Sequence, residues 1–286
     1  MKLSPRYDAP GFLRFDGPLD DPSVALLGQR RRLASILAAL DDAQWATPSR
    51  CEGWSVRDVV SHLVDTNQFW AISIAAGRSG EPTRFLAAFD PVATPAEMVD
   101  GVWSLPWTTV LERFVESNEA IAESVAGLDE DDWSILGEAP PGHVPLRAVA
   151  LHALWDAWVH ERDITLPLGL APVEDADEIA ACLRYAAVIS PALAVAAGST
   201  RQGSIVVEVT DPEVHFVVDV GEAIVVHEGD ASADALHLTG SAVELLEGLS
   251  YRTLLAQPVA DEHRWLFDGL AAVFDREAPG SRPGAS

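Results

Sequence analysis

Apolar residues recur every three to four positions along most of the first 200 residues, which places them on one face of an α-helix. Turn residues interrupt this pattern, notably in the Pro/Gly-rich connection at 139–145. Helices joined by short or medium loops are typical of a bundle, and bundles often hold metal sites between facing helices. The predicted helices span about 22–40, 55 to the glycine break at 77–80, 94–125 with a potential interruption at Pro106, 146–164 and 173–197.

After Gly198 the apolar period changes to two, which is typical of strands with one buried face. Ser241 and Glu244 have the spacing of a capping box that starts a helix, and a last helix is predicted over about 261–274. Four short strands are predicted around 205–209, 214–218, 223–226 and 236–238, separated by Gly and Asp-Pro turn signals.

These patterns predict an α+β fold that is mainly α. A four-helix bundle occupies 1–200, a small α+β domain occupies 201–277, and a disordered tail occupies 278–286. The tail is rich in Pro, Gly and Ser and cannot bury enough apolar surface to fold.

The chain carries 44 acidic and 19 basic residues, a net charge of −25. This argues against a nucleic acid or an anionic membrane surface as partner, because both require a basic binding face. Two cysteines are too few for a disulfide framework, and the N-terminus lacks the apolar segment of a secretory signal. The longest apolar stretch, 179–197, contains Arg184 and Pro191, which argues against a membrane span. We expect a cytoplasmic protein with a small-molecule partner; the oligomeric state stays open.

The candidate chemistry lies in the helix predicted over 146–164. Asp156 and His160 are four residues apart, so their side chains lie on one helix face about 5.4 Å apart along the axis. A carboxylate and an imidazole at this spacing can bind one divalent metal ion together. His152 lies about 12 Å from His160, too far for both to share an ion. The pair is therefore Asp156 with His160 or with His152, completed by at least one ligand from elsewhere.

His62 is the best outside candidate for a metal ligand. It lies beside the apolar stripe of the second predicted helix, whose start is indicated by a capping-box variant of Ser55 and Asp58. An unpartnered imidazole is costly in such a position. His62 is therefore either a core histidine bonded to a backbone carbonyl or a metal ligand, and spacing alone does not decide between them.

Two segments of the chain resemble the mycothiol-dependent maleylpyruvate isomerase family. The first is 45–63 (WATPSRCEGWSVRDVVSHL) and the second is 155–164 (WDAWVHERDI). The family belongs to the DinB-like superfamily of metal-binding four-helix bundles, and its members often carry a C-terminal α+β domain similar to sterol carrier proteins. The resemblance therefore implies a DinB-like bundle followed by a sterol-carrier-like domain.

Matched by position, the family's three metal ligands correspond to His62, Asp156 and His160. Asp156 stands where the isomerase typically has glutamate, and aspartate can still bind a divalent ion. Zinc is the first choice of metal, with nickel and iron as alternatives. The family uses the thiol mycothiol, and a metal ion converts a bound thiol to a reactive thiolate. The implied function is isomerisation or S-transfer on a small electrophilic substrate.

Two further residues are candidates for catalytic roles. The resemblance implies that Arg252 corresponds to an arginine that helps the family to hold an anionic substrate. Asp163, three residues after His160, can accept a hydrogen bond from the ligand imidazole. Cys51 is interpreted as a small buried side chain rather than a nucleophile, since no histidine lies near it in sequence.

Two alternatives to a thiol-dependent enzyme stay open. One is a metalloenzyme of the same fold that uses no thiol. The other is a non-catalytic binding or regulatory module, in which a metal ion would be structural. The substrate cannot be read from the sequence, because loops and the second domain form the pocket walls.

Overall fold

The computed structural model describes residues 3–8, 11–17, 20–90, 94–96, 99 and 105–273. It confirms the α+β fold, with a helical part followed by a mixed sheet and two further helices. Residues 97, 98 and 100–104 of the helix expected over 94–125, and the whole C-terminal tail, lie outside the described residues. The helices are α1 (Pro22–Ala38), α2 (Asp42–Trp45), α3 (Val56–Arg78), α4 (Trp107–Val125), α5 (Leu146–Thr165), α6 (Ala176–Ala196), α7 (Ala242–Leu249) and α8 (Trp265–Val273).

The helices α1, α3, α4 and α5 form the predicted bundle, in which α1 and α3 each pack against α4 and α5. Ser55 caps α3 through the predicted capping box with Asp58, which satisfies backbone donors at the helix start. Fully buried side chains such as Leu33, Val59 and Leu63 hold the helices together. The bundle thereby brings the N-terminal half of α3 opposite the C-terminal half of α5.

A buried ion network ties α1 to α5 and α6. Arg32 on α1 donates hydrogen bonds of 2.7–2.9 Å to Glu161 on α5 and to Glu178 on α6. Both carboxylates are almost inaccessible to water, at 2% and 3% exposure. Because buried charges are costly unless paired, this network fixes how the three helices meet.

The C-terminal part contains a five-stranded mixed sheet with the order β1-β6-β5-β4-β7. Four of these strands follow the predicted alternation, whereas β1 at Leu13–Phe15 was not predicted. This segment of three residues is too short to show an alternating pattern, and it joins the sheet as a parallel neighbour of β6. The strands are β1 (Leu13–Phe15), β4 (Gly203–Thr210), β5 (Val214–Val220), β6 (Ile224–His227) and β7 (Leu236–Ser241).

A second sheet, also not predicted, is the hairpin of β2 (Leu136–Ala139) and β3 (Gly142–Pro145). The sequence analysis treated 139–145 as a connection because of its Pro and Gly content. Gly142 has φ +128° and lies against the backbone of Arg6, where a Cβ atom would come within 2.2 Å of the Arg6 carbonyl oxygen. The glycine thus permits the N-terminal segment to pack on the hairpin.

The helix α6 connects the two parts, since it packs against α5 on one side and against α7, α8 and the sheet on the other. It is long and apolar enough to cross a membrane by length and composition, but 72% of its apolar window is buried inside the protein. Ser241 precedes α7 as predicted, yet its side chain makes no capping hydrogen bond, so the predicted capping box is wrong. The last helix begins at Trp265, four residues later than predicted.

Candidate metal centre and its cavity

The three predicted metal ligands lie together. His62 on α3 faces Asp156 and His160 on α5, and one ligand atom from each lies within 4.8 Å of the other two. His160 Nε2 is 3.6 Å from Asp156 Oδ1, and the rings of His62 and His160 meet edge to face with centroids 5.1 Å apart. The bundle therefore joins the Asp156 and His160 pair to His62.

The donor atoms of this cluster fit a divalent metal ion. Asp156 Oδ2 is buried and has no hydrogen-bond partner in the described part of the chain. Burying a carboxylate oxygen without a partner is costly, and a metal ion would remove that cost. Two imidazole nitrogens with one carboxylate are a set that zinc, nickel and iron accept.

The environment favours the metal-binding forms of two of these side chains. Burial lowers the pKa of His62 to about 4, and the charges of His160 and Arg252 act in the same direction, against that of Asp156. His62 is therefore neutral at pH 7 and keeps a lone pair free. Burial opposes ionisation of Asp156. The charge of His160, with smaller effects from His62, His152 and Arg30, nevertheless holds the pKa of Asp156 below its usual value, so this carboxylate is ionised.

Asp163 lies within hydrogen-bonding distance of His160, which is three residues before it on α5. The carboxylate of Asp163, which is fully buried, accepts a hydrogen bond of 3.1 Å from His160 Nδ1. Burial alone would lower the pKa of His160, but the bonds to Asp163 and Cys51 raise it to about 10. Because Nδ1 bonds Asp163, Nε2 is left to face Asp156 and His62.

Arg252 does not line the cavity beside the cluster; it binds Asp163 instead. Its Nε and Nη2 atoms donate hydrogen bonds of 2.6–3.0 Å to the Asp163 carboxylate. The preceding Tyr251 has φ +59°, a left-handed conformation that is uncommon for an aromatic residue. Ser250 accepts a hydrogen bond from the indole of Trp155 on α5. The loop after α7 is therefore held against α5, with Arg252 directed at the buried carboxylate.

Cys51 lies at the same place, although the sequence analysis interpreted it as an inert buried side chain. Its sulfur is 3.7 Å from His160 Nδ1, 3.3 Å from Asp163 Oδ2 and 3.9 Å from Arg252 Nη2. It is partly exposed and lines the cavity. Its proximity to a histidine could not be read from the sequence, because 109 positions separate Cys51 from His160.

His152, the other histidine of α5 in the predicted row, lies apart from the cluster. Its ring packs against Trp70 and Trp155, and its Nδ1 atom shares a hydrogen bond with the hydroxyl of Tyr185. Burial lowers its pKa to about 4, so it is neutral at pH 7. His152 is an aromatic-packed wall residue of the cavity.

The cluster opens into a cavity of about 560 Å³ between the bundle and α8. Trp54, His62, Asp156 and His160 line one region of it. Phe69 and Trp70 of α3 and residues of α6 and α8 line the rest. A cavity of this volume is within the range of small-molecule sites.

Buried Glu138 of the hairpin organises one wall of the cavity. Its carboxylate accepts hydrogen bonds from the backbone N–H groups of Phe85 and Leu86 and from the hydroxyls of Thr83 and Tyr7. The hairpin, which the sequence analysis missed, thus fixes the segment that carries Phe85 and Leu86 into the cavity.

Comparison with known proteins relates the chain to one group. A family model described as the mycothiol maleylpyruvate isomerase N-terminal domain matches residues 26–165, which include His62, Asp156 and His160. Among curated proteins, none matches the chain significantly.

Two solved structures share the fold. A crystal structure of the mycothiol-dependent maleylpyruvate isomerase is 17% identical, with a TM-score of 0.57 over 83% of this chain and 91% of that chain. A structure of a histidine-to-alanine mutant of that isomerase is 16% identical, with a TM-score of 0.58 and the same coverage. At such identities the likeness shows a common fold that extends beyond the matched domain into the C-terminal part.

Proposed function

Since the chain belongs to the mycothiol maleylpyruvate isomerase family through its N-terminal domain, we propose that it is a metal- and thiol-dependent enzyme that isomerises a small electrophilic substrate or transfers the thiol to it. The observation that carries this proposal is the convergence of His62, Asp156 and His160 at a cavity, with an unpartnered carboxylate oxygen among them. We place the enzyme in the cytoplasm, in agreement with its acidic composition and two free cysteines.

In this proposal His62, Asp156 and His160 bind one divalent ion, zinc first among the candidates. Such an ion would supply a lowered thiol pKa, which makes a thiolate available at neutral pH. The three side chains occupy one side of the site, so the cavity side stays open for the thiol. The aromatic walls exclude water from the electrophile.

Asp163 and Arg252 act as positioning residues in this proposal. Asp163 holds His160 in one ring orientation, and Arg252 holds Asp163 through paired hydrogen bonds. Arg252 belongs to the C-terminal part, so that part sets the geometry of a ligand on α5 without contributing a ligand itself. Partners of this kind often change metal affinity by 10- to 100-fold when removed.

The reaction balances without any further reactant. The sulfur of the thiol adds to one carbon of an activated double bond, which leaves a single bond between the two carbons and permits rotation. If the sulfur then leaves, the trans alkene and the thiol are recovered. If a proton is instead taken up at the neighbouring carbon, the product is the thioether of an S-transferase.

Metal analysis with a thiol-binding measurement tests this function. We expect about one equivalent of zinc in the wild-type protein and its loss in His62→Ala and His160→Ala, with the far-UV helical signal retained. The exposed His237 supplies the matched control, and His237→Ala should keep its zinc. Mycothiol should raise the Tm of the zinc-loaded wild type in a concentration-dependent way.

The two alternative functions give different results in the same experiment. A thiol-independent metalloenzyme would bind zinc through the three ligands but show no change in Tm with mycothiol. A binding module would keep its fold in both histidine variants. Any zinc ion that it bound would have no coordination position free for a thiol. Either result would contradict the proposed function.

A further inference from the structure

The walls of the cavity indicate which class of substrate the proposed enzyme takes. We infer that the electrophile is a neutral and largely apolar molecule, and that a dicarboxylate such as maleylpyruvate is disfavoured. This inference rests on the proposed function for the reaction, but on the cavity alone for the substrate.

The cavity extends well beyond the metal ligands. Trp70 lies eight residues after His62 on α3, and His152 lies eight residues before His160 on α5. The rings of Trp70 and His152 have centroids 4.5 Å apart, and those of His62 and His160 are 5.1 Å apart, so the two helices run antiparallel beside each other. Eight residues of helix correspond to about 12 Å. A substrate that reacts at the ligands therefore places its remaining atoms along this wall.

The wall away from the ligands is apolar and comes from several separate elements. Aromatic and aliphatic side chains from α3, the 3₁₀ helix at Phe85–Ala88, α6 and α8 converge on it. These side chains are Phe69, Phe85, Leu86, Phe89, Leu193 and Leu270. Burial of apolar substrate atoms against such a surface is favourable, whereas burial of a carboxylate without a partner is costly.

The carboxylates that line the cavity would repel an anion. Apart from its histidines, the charged side chains that line the cavity among the described residues are Glu52, Asp65 and Asp156, all of them acidic. Burial raises the pKa of Asp65, although Arg113 opposes this. No lysine or arginine lines the cavity within the described part of the chain.

Three arginines near the site are already paired with protein carboxylates. Arg30, whose charge also acts on Asp156, is buried and bonded to Asn67. Arg252 binds Asp163 through two nitrogens, and Arg50 binds Glu247 at 2.5 Å and approaches Asp163 at 3.4 Å. Arg162 also binds Glu247, at 2.9 Å. A substrate carboxylate would have to break one of these buried pairs to gain an arginine partner, and breaking such a pair is strongly unfavourable.

The experiment compares neutral and anionic forms of one electrophile on the zinc-loaded enzyme with mycothiol. Dimethyl maleate and maleate share the cis double bond and differ in charge. For each compound, the rate of trans-product formation with the wild type is divided by the rate with His160→Ala. This ratio is the acceleration, and it corrects for the intrinsic reactivity of the compound. We expect at least a tenfold larger acceleration for the diester, and a further gain of about three- to fourfold per added buried methylene along the dimethyl, diethyl and dipropyl series.

A variant with a cation in the wall provides the matched test. Thr66 lines the cavity one turn after His62 on α3. Thr66→Arg should lower the preference for the diester, whereas Thr66→Met, of similar length and without charge, should preserve it. An equal or larger acceleration for maleate or maleylpyruvate in the wild type would overturn the inference while leaving the proposed function standing.

A binding measurement separates this inference from the reaction. Dimethyl succinate and succinate lack the double bond and require neither metal nor thiol, and their Kd values can be measured by calorimetry on the wild type. Tighter binding of the diester, reduced in Thr66→Arg, supports the inference even if no turnover is found and the proposed function fails. Failure of the diester to bind more tightly than succinate overturns it.

Discussion

At the scale of single residues, the site depends on which atom of each side chain is free. His160 is bonded to Asp163 at Nδ1, so its Nε2 atom faces Asp156 and His62. His62 is neutral because burial lowers its pKa to about 4. The Asp163 side chain is fully buried, and Arg252 of the C-terminal part is a cationic partner of its carboxylate. These side chains have different tasks although all lie within one cluster.

The positioning role proposed for Asp163 and Arg252 predicts graded losses in metal binding. Asp163→Asn and Arg252→Gln should weaken zinc affinity by about 10- to 100-fold, because each frees the His160 ring to rotate. Arg252→Lys keeps the charge but loses the paired geometry, so it should fall between wild type and Arg252→Gln.

The absorption spectrum of the cobalt(II)-substituted protein checks this prediction. A changed ligand arrangement in these variants would alter the visible bands, whereas a residue with only a structural role would lower Tm and leave the bands unchanged. Unaltered bands with unaltered affinity would contradict the positioning role.

At the scale of elements, the bundle is specified by polar as well as apolar contacts. Arg32 joins α1 to Glu161 of α5 and Glu178 of α6. The hairpin of β2 and β3 acts similarly, since Glu138 holds the segment of Phe85 and Leu86 against the cavity. Buried charges with complete sets of partners therefore place the helices and the wall relative to the ligands.

Removal of Arg32 should destabilise the bundle. Arg32→Ala leaves two buried carboxylates without their cation, which typically costs about 3–5 kcal/mol. The adjacent Arg31 is exposed, and Arg31→Ala should change the free energy of unfolding by no more than about 0.5 kcal/mol. Urea denaturation of both variants measures the difference, and equal values would show that the network contributes no net stability.

At the scale of the whole molecule, the N-terminal segment and α6 join the bundle to the sheet. The strand β1 pairs with β6, and Arg6 contacts the hairpin at Gly142. The cavity lies between the bundle and α8 and takes lining residues from both. The net charge of −25 gives general repulsion, which weakens only as carboxylates protonate near pH 4.

Buried His152 predicts a loss of stability in mild acid. Its pKa is about 4 in the folded protein, whereas an ordinary histidine, as in the unfolded chain, has a pKa of 6.5. Between these two pH values the unfolded state therefore binds more protons. The free energy of unfolding therefore falls as pH decreases from 6.5 towards 4, by about 1.4 kcal/mol for each pKa unit between the two states.

The dependence on pH should become shallower in His152→Gln, which has no proton to take up. Urea denaturation at pH 7, 6, 5 and 4.5 measures the slopes for both proteins. Both proteins carry the same carboxylates, so protonation of these groups towards pH 4.5 contributes equally to both slopes, and the difference between the slopes reports on His152. Parallel slopes would show that His152 does not contribute.

The sequence by itself determined the periodic elements and the local pairs. Helices and strands of adequate length were predictable because burial of one face imposes a period of 3.6 or 2. Asp156 and His160 were predictable as a pair because helix geometry alone sets their separation. His62 was the best outside candidate from its helix pattern, and the family resemblance supported its choice over a core histidine. The position of His62 beside this pair depends on the packing of α3 against α5.

Only the tertiary structure decided the features that depend on distant segments. The strand β1 is formed by pairing with β6, and the hairpin is held by contacts with Arg6 and Ser73, so neither has a local signal. The contact of Cys51 with His160 and that of Arg252 with Asp163 join residues separated by 109 and 89 positions. The local sequence specifies whether a segment is a helix or a strand and which of its side chains face the core. The partner of a buried charge or thiol is set by how these elements pack together.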